Sequence, residues 1–282
     1  MSLADYAREH GLKRVGARPA LLEYLAEAWK RRDFAFTMAR FNSEAANAKN
    51  RLGRWWTVLL PTIQALVYGL IFGVLMGASR PENYIPFLFT GVFLFSFISG
   101  AFGAGAGSVT GNLGLVRSLS FPRMLLPVQA TIQQVFNLLP QMVLLLVTWI
   151  VFAQPITWNW LLLIPITLLM VMFSTGLALV SARLTVHVQD LTKLIPFIIR
   201  IVFYTSGIFF NMERVLKDYP IALEIEKYNP VYIFVSLARG VGVSGYSTAP
   251  FMWFAALGWA VLTLALGIVF FWKAEERYGR ED

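Results

Sequence analysis

Long apolar segments separated by short polar ones fill the chain from residue 55 to residue 272. Six of these segments are nearly free of charge, and they cover 55–77, 84–109, 125–153, 158–182, 194–210 and 251–272. A helix needs about 20 apolar residues to cross the hydrocarbon core of a bilayer. The pattern therefore predicts an all-α integral membrane protein with six transmembrane helices.

The N-terminal region, residues 1–54, is polar, but apolar side chains recur in it at helical spacing. They are Leu21, Leu22, Leu25, Ala28 and Trp29, followed by Phe34, Phe36, Met38 and Phe41. Such a pattern, rich in arginine and directly before an apolar segment, is typical of a helix that lies in the plane of the membrane surface. We predict an N-terminal amphipathic interface helix in this region.

The segment 211–250 mixes charged and apolar stretches between the fifth and sixth predicted spans. Met212–Glu226 is amphipathic, whereas Val231–Ala238 is apolar and is followed by Arg239. Neither stretch is long enough to cross a bilayer, and such pieces reach membrane depth only where protein buries them. We therefore predict two short re-entrant helices here, and a charged tail, 273–282, after the last span.

The distribution of basic residues predicts how the spans are oriented. The net charge is +8, which in a soluble protein would suggest nucleic acid as a partner, but in a membrane protein basic residues favour cytoplasmic loops. With both termini in the cytoplasm, 18 of the 24 Lys and Arg residues lie inside and five lie outside. We expect membrane lipids, and no nucleic acid, around this protein.

Composition limits the chemistry that the chain can perform. It has no cysteine and only two histidines, His10 and His187, which argues against thiolate metal sites, histidine-rich metal sites and Ser-His-Asp triads. The chain also lacks the Gly-Lys-Ser/Thr sequence of the phosphate loop found in most ATPases. We predict no catalytic residue, metal site or resident cofactor, so any process that needs energy must be powered by a partner.

The second predicted span becomes rich in glycine towards its end. The pairs Gly103/Gly107 and Gly107/Gly111 have the spacing that lets another helix approach closely in lipid. We expect close helix packing at these pairs.

Four amide side chains recur every four residues along the third predicted span. They are Gln129, Gln133, Asn137 and Gln141. At about 100° per residue they form a slowly drifting stripe on one helix face. Because amides are costly against lipid, the stripe should line a channel or pack against protein.

Arg200 is the one charged residue within the six predicted spans. It lies about eight residues into its span, which is about 12 Å at 1.5 Å per residue. An ionisable group at this depth is a candidate contact for an anionic headgroup or a pyrophosphate. Snorkelling to the inner headgroups and pairing with the amides of the third span are the alternatives.

The turn between the second and third spans, 110–123, is short and basic and is bounded by Gly111 and Pro122. Its spacing fits a contact with a cytoplasmic partner and fits an ordinary inside loop equally well.

Several short motifs occur in an order that resembles one family. Their sequences are Arg51-Leu52-Gly53-Arg54-Trp55-Trp56 before Pro61, Asn112-Leu113 before Phe121-Pro122-Arg123 and Pro127, Gln189-Asp190-Leu191, Tyr204-Thr205-Ser206-Gly207-Ile208-Phe209-Phe210, and Tyr228-Asn229-Pro230 before Arg239. This order is similar to that of ABC-2 type permeases, in the branch that exports lipid-linked O-antigen, teichoic acid or galactan. Phe36–Arg54 most resembles the actinobacterial galactan exporters, whereas Gly207 departs from the family's Ser-Pro-Ile pattern.

The resemblance implies a permease subunit, not an enzyme, that moves a polyprenyl-pyrophosphate-linked polysaccharide across the bacterial cytoplasmic membrane. It implies a homodimer working with two ATP-binding cassette subunits, which bind ATP and Mg. The coupling helix that contacts those subunits would include Asn112, Leu113, Leu115, Arg117, Phe121, Pro122 and Arg123. The gate helix at the membrane surface would include Asp33, Phe34, Arg40 and Phe41, and the re-entrant helices would close the outer mouth.

Two alternatives remain open from the sequence. One is an ABC-2 permease that exports a drug or a lipid. The other is an ion-coupled secondary carrier, which usually has acidic residues within its spans and an internal repeat. The six predicted spans contain no Asp or Glu, and no repeat is obvious.

Overall fold

A computed structural model of the protein describes residues 18–48, 51–77 and 83–278. All regular secondary structure in these ranges is helical. The α-helices there are α1 (Leu21–Lys30), α2 (Arg32–Ala48), α3 (Trp56–Met76), α4 (Tyr84–Gly107), α5 (Leu113–Ser118), α6 (Leu125–Val151), α7 (Leu163–His187), α8 (Leu191–Thr205), α9 (Met212–Val215), α10 (Pro220–Lys227), α11 (Pro230–Gly242) and α12 (Phe251–Trp272). Short 3-10 turns lead into α3, α5 and α7.

Five of the described helices, α3, α4, α6, α7 and α12, are long and apolar enough to cross a membrane. The prediction of an all-α, multi-pass protein is therefore confirmed for the described residues. Helix α8, in the predicted span 194–210, has 15 residues. At 1.5 Å per residue it is about 22 Å long, shorter than a hydrocarbon core of about 30 Å. The sixth span and the re-entrant helices stay predictions.

Helix α4 is the centre of the bundle. Most of its side chains are buried, and it contacts α3, α6, α7, α8 and α11. A helix that is apolar on every side has no polar face to present to water, so either other helices or lipid must cover it, and α4 is covered by helices. Helix α3 is equally apolar but almost entirely uncovered within the chain. Its exposed side chains include Leu66, Leu70 and Val74.

Glycines allow the closest helix contacts, although not the glycines expected from the sequence. A Cβ on Gly105 of α4 would lie 2.5 Å from Cα of Ala178 in α7, whereas Gly107 and Gly111 face open space and Gly103 meets one side-chain atom at 3.9 Å. The expected Gly103/Gly107 and Gly107/Gly111 contacts are therefore wrong within this chain. The spacing rule identified the right helix but missed the face that meets α7, because the whole turn is made of small residues.

The structure corrects the predicted end of one helix and the predicted number of helices in two segments. Helix α7 continues to His187, past the predicted end at residue 182. Arg183 favours this extension, because it donates to the main-chain oxygen of Phe270 in α12 and its guanidinium lies 3.8 Å from the centre of that ring. The interface region forms two helices, α1 and α2, with a break at Arg31. The segment 211–250 contains three short helices, α9 to α11, where two were predicted.

Some predictions fall on residues 1–17, 49–50, 78–82 and 279–282, which lie outside the described residues. They concern the start of the N-terminal region 1–54, part of the motif 36–54, the link after the first span and the end of the tail.

Adding one methyl group to Gly267 should separate α12 from α7. A Cβ there would lie 2.6 Å from the main-chain oxygen of Gly176, whereas a Cβ on Gly258 of the same helix would meet nothing within 4 Å. Overpacking of this kind costs about 2 kcal/mol, so Gly267→Ala should lower Tm by roughly 4–8 °C. Gly258→Ala is the matched control, and higher helix propensity should leave its Tm equal or higher. Thermal unfolding in detergent measures both, and equal losses would refute the close contact.

Candidate functional site

At one end of the bundle, here called the basal end, α1, α5 and residues 273–278 pack into one apolar cluster. Tyr24 lies inside it and is 1% exposed. Its hydroxyl donates to Oε2 of Glu275 at 2.7 Å and accepts from the N–H of Met124 at 3.0 Å. The other carboxylate oxygen of Glu275 accepts from the N–H of Arg123 at 3.1 Å. One carboxylate therefore joins α1, the tail and the turn before α6.

The pKa values of Glu275 and Tyr24 are both changed by this contact, here called the basal junction. Burial raises the pKa of the Glu275 carboxyl, while the Tyr24 hydroxyl and the charge and N–H of Arg123 oppose that rise. Burial and the neighbouring Glu275 raise the pKa of Tyr24 well above its ordinary value, so its hydroxyl keeps its proton and stays a donor. Residues 18–30, which the sequence predicted only to lie along the membrane surface, thus hold the turn in place.

The predicted coupling residues divide between two sides of the turn. Pro122 is buried and Arg123 is half-buried, and the guanidinium of Arg123 donates to the main-chain oxygen of Glu275. The ring of Phe121 lies 5.2 Å from that of Phe34 in α2. Arg117 is exposed, as is Leu119, which was not among the predicted residues. The sequence could have identified Leu119, because it is an apolar side chain within a polar turn.

The remaining coupling residues support the turn from within. Leu113 and Leu115 are half-buried, and Asn112 donates from Nδ2 to the main-chain oxygen of Ser108 at 2.8 Å. Arg31, at the break between α1 and α2, donates to the main-chain oxygen of Ser120 at 2.6 Å. The turn is therefore tied to the interface helices by a hydrogen bond and by a ring contact.

The predicted gate helix is α2, which lies along α6. Ala35 and Ala39 are buried against the bundle, so small side chains give α2 its close contact. Of the predicted gate residues, Phe34 packs inwards, whereas Asp33, Arg40 and Phe41 are exposed. The exposed set combines charge with a large apolar ring, as a helix at a membrane surface requires.

The amide stripe of α6 is largely engaged in hydrogen bonds within the protein. Gln129 donates to Gln133 at 3.3 Å, and Asn137 donates to Gln134 at 3.2 Å. Gln141 accepts from the hydroxyl of Ser96 at 2.8 Å. Gln141 therefore packs against α4, whereas the hydrogen bonds of Gln129 and Asn137 stay within α6.

Gln141 also supplies a hydrogen-bond donor that a proline removes from α3. Pro61 has no N–H, so the main-chain oxygen of Thr57 loses its helical donor. Nε2 of Gln141 donates to that oxygen at 2.8 Å. Because an unsatisfied carbonyl in lipid costs several kcal/mol, this amide joins α6 to α3 while Ser96 joins it to α4.

Arg200 lies in a groove of about 620 Å³ between α3, α4 and α8. Other polar residues that line the groove are Gln64, Tyr68, Ser96, Ser99 and Thr192. The hydroxyl of Tyr68 lies 3.5 Å from that of Tyr204 in α8. No residue of the α6 stripe lines the groove. The groove residues were missed in the sequence because they come from three separate segments of the chain, and only the packing of α3, α4 and α8 brings them together.

Arg239 was counted in the sequence as an external charge, but the structure buries it at the opposite end of the bundle, where it is 3% exposed. Its guanidinium donates to the main-chain oxygens of Phe87 at 3.1 Å, Gly207 at 2.7 Å and Ile208 at 2.8 Å. Gly207 has a φ of +63°, which proline cannot adopt. The departure from the Ser-Pro-Ile pattern therefore has a conformational reason.

Glu226 of α10 is a buried carboxylate at this opposite end, with 9% exposure. Asn229 donates from Nδ2 to Oε1 of Glu226 at 3.2 Å and to the hydroxyl of Ser206 at 3.0 Å. Oδ1 of Asn229 caps α11 by accepting from the N–H of Val231 at 3.0 Å. Burial raises the pKa of Glu226 to about 7, and the hydrogen bond from Asn229 opposes the rise.

Removing the hydroxyl of Tyr24 should destabilise the basal end. Tyr24→Phe leaves the N–H of Met124 and one oxygen of Glu275 without a partner inside the protein, at about 2 kcal/mol, which should lower Tm measurably in detergent. Tyr219→Phe is the matched control, because Tyr219 is 66% exposed. Equal Tm values for the two variants would show that the hydrogen bonds of the Tyr24 hydroxyl do not stabilise the basal end.

The stability of the opposite end should depend on pH through Glu226. Its pKa is about 7 in the folded chain against an ordinary value of 4.5, so the folded state binds the proton more tightly. The stabilisation is then complete below about pH 4.5 and is lost as pH rises through about 7. Tm should fall over this range in the unaltered chain and fall less in Glu226→Gln. Glu224→Gln, which alters an exposed carboxylate on the same helix, should keep the original slope, and an unchanged slope in Glu226→Gln would overturn the assignment.

Comparison with known proteins identifies the family. The sequence profile of ABC-2 type transporters matches residues 38–243, from within α2 to just past the end of α11. The O-antigen export system permease protein RfbA of Myxococcus xanthus is 24% identical over 198 residues, covering 70% of this chain and 76% of that protein. RfbA of Klebsiella pneumoniae is 23% identical over 231 residues, covering 80% and 86%. The polysialic acid transport protein KpsM of Escherichia coli is 24% identical over 230 residues, covering 81% and 88%. The resemblance found in the motifs is confirmed, and the chain belongs to the ABC-2 type transporter family.

Proposed function

We propose that this chain is the permease subunit of an ATP-driven exporter that moves a lipid-linked polysaccharide across the bacterial cytoplasmic membrane. The observation that carries the proposal is the family match over 38–243, together with relatives named for O-antigen export and polysialic acid transport. The similarity of Phe36–Arg54 to galactan exporters makes galactan the first polymer to test.

The proposed arrangement in the membrane has six passes with both termini in the cytoplasm. Helix α8 together with residues 206–210 would complete the fifth pass, and α10 and α11 would be re-entrant at the outer mouth. The burial of Arg239 and Glu226 supports this arrangement, because short segments at membrane depth need protein around their polar groups. The basal end would then face the cytoplasm, in agreement with its basic residues.

A homodimer would give the polysaccharide its path. Helices α3 and α8 expose large apolar side chains, among them Leu70 and Val74 of α3 and Phe197 and Ile201 of α8. The groove that contains Arg200 lies between these helices. Two copies that meet through the faces of α3 and α8 would enclose their two grooves. The hydroxyl, amide and aromatic groups on the lining suit sugar, and Arg200 supplies a positive charge for an anionic headgroup.

Two ATP-binding cassette subunits would bind ATP and Mg and would dock at the exposed rim of the turn, near Arg117 and Leu119. The buried side of the same turn contacts Phe34 through Phe121 and Glu275 through Arg123. A displacement of the rim would therefore reach the gate helix α2 and the inner end of α6 through direct contacts.

Depletion of the chain tests the transported substrate. In the bacterium that encodes it, we expect lipid-linked polymer to accumulate in the cytoplasmic leaflet and surface polymer to decrease. Re-expression of the chain should reverse both changes. Unchanged polymer together with altered drug susceptibility would overturn the proposal in favour of drug export.

The docking rim makes a second prediction. Arg117→Glu combined with Leu119→Asp should weaken co-purification with the ATP-binding subunit by at least about tenfold, or ~1.4 kcal/mol, since one contact is reversed in charge and another loses apolar burial. Arg214→Glu is the matched control, because Arg214 is exposed in α9 at the opposite end. Undiminished assembly and undiminished substrate-stimulated ATPase activity in the double variant would refute docking at this rim.

A further inference from the structure

A second cavity, of about 630 Å³, lies where α2, the start of α3 and the middle of α6 meet. It is separate from the groove of Arg200, and the two share no lining residue in the described part of the chain. One part of its wall is polar and carries Arg40, Ser43, Glu44, Arg54 and Asn137. The other part is apolar and carries Phe36, Val58, Phe136, Leu139 and Pro140.

The charges of the polar wall converge on one point. Nε of Arg40 lies 3.0 Å from Oε1 of Glu44, and a terminal nitrogen of Arg54 lies 3.5 Å from the same oxygen. Among the described residues of the wall Glu44 is the one acidic residue, so this described lining keeps a net positive charge. The two arginines come from different elements, and their side chains are 67% and 66% exposed. Their remaining N–H groups are accessible to a ligand.

The apolar wall continues into the surface that faces lipid. Leu139 of α6 is 58% exposed and Leu60, next to the cavity in α3, is also 58% exposed. Trp55 lines the cavity and is 70% exposed, and tryptophans at the start of a span mark the level of the headgroups. The arginines therefore lie at headgroup level, and the apolar wall extends from them to the depth of the acyl chains.

This combination selects a ligand with a strongly anionic head and an apolar tail. Each guanidinium presents five N–H donors in a rigid fork that matches phosphate oxygens. Two such forks that meet at one point suit two adjacent phosphates better than one. A diphosphate also carries more negative charge than the Glu44 carboxylate, so it can displace that carboxylate from both arginines.

We propose that this cavity binds the diphosphate end of a polyprenyl lipid, with Arg40 and Arg54 on the phosphate oxygens and Phe36, Phe136 and Leu139 along the first isoprene units. The choice of a polyprenyl diphosphate rests on the proposed function, whereas a site for a phosphate-bearing lipid rests on the cavity. The cavity is then where the lipid end of the cargo is held at the membrane surface, beside the gate helix α2.

The test is a binding measurement on the full chain in nanodiscs of phosphatidylcholine, with farnesyl diphosphate as the probe. We expect saturable binding, weakened at least about tenfold by Arg40→Gln and by Arg54→Gln, which is ~1.4 kcal/mol each. Arg32→Gln is the matched control, since Arg32 is an exposed arginine of α2 that does not line the cavity. Val58→Phe, which fills the cavity from the α3 side with both arginines present, should also abolish binding.

Two comparison ligands identify the source of the phosphate. Inorganic pyrophosphate should bind much more weakly than farnesyl diphosphate, and equal binding would overturn the role of the apolar wall. Phosphatidylglycerol added to the nanodiscs should not compete, and effective competition would show a general phospholipid site and overturn the diphosphate assignment. Unchanged affinity in both arginine variants would overturn the site itself.

The outcome is distinguishable from failure of the proposed function. If depletion of the chain leaves the polymer unchanged, polysaccharide export is wrong whatever the cavity binds. If depletion blocks the polymer but the variants bind farnesyl diphosphate normally, only the cavity assignment is wrong.

Discussion

The cation of Arg239 is enclosed by main-chain oxygens, and its need for partners fixes the geometry of one end of the bundle. A buried charge without compensation is strongly unfavourable. Here three carbonyls compensate it, from Phe87 in α4 and from Gly207 and Ile208 just after α8. The last two lie at the negative end of the α8 dipole, and the ring of Phe87 lies 3.3 Å below the guanidinium. Helix α11 can therefore take only one position against α4 and α8.

The same constraint acts at the other joints of the bundle. Gln141 supplies the donor that Pro61 lacks and so joins α6 to α3, and Glu275 gathers donors from α1 and from the turn before α6. Each joint is a polar group that water cannot satisfy, which makes its protein partners obligatory. Between these joints the groove beside Arg200 and the outer faces of α3 and α8 stay open. The fixed joints define the bundle, and the open surfaces are those that the proposed homodimer would enclose.

Much of the fold followed from the hydrophobic pattern. The spans near 55–77, 84–109 and 251–272 agree with α3, α4 and α12 within two residues, because length and apolarity alone define a membrane helix. The fifth predicted span was less well defined, because α8 ends in a left-handed turn at Gly207. For the candidate site, sequence reasoning chose Arg200, the turn 110–123 and the amide stripe. It missed Tyr24, Glu275 and Arg239, whose importance lies in partners far away along the chain.

The sequence by itself determined the class of protein, its long apolar helices and its family, because apolar length and motif order are local properties of the chain. Only the tertiary structure decided which polar residues are structural and which stay accessible. In the fold Arg123 is bonded to Glu275, whereas Leu119 is exposed. The stripe residue Gln141 donates to the carbonyl of Thr57, which has no helical donor. The reason is physical: in a membrane the role of a polar group depends on which distant donor or acceptor satisfies it, and that pairing is set by helix packing.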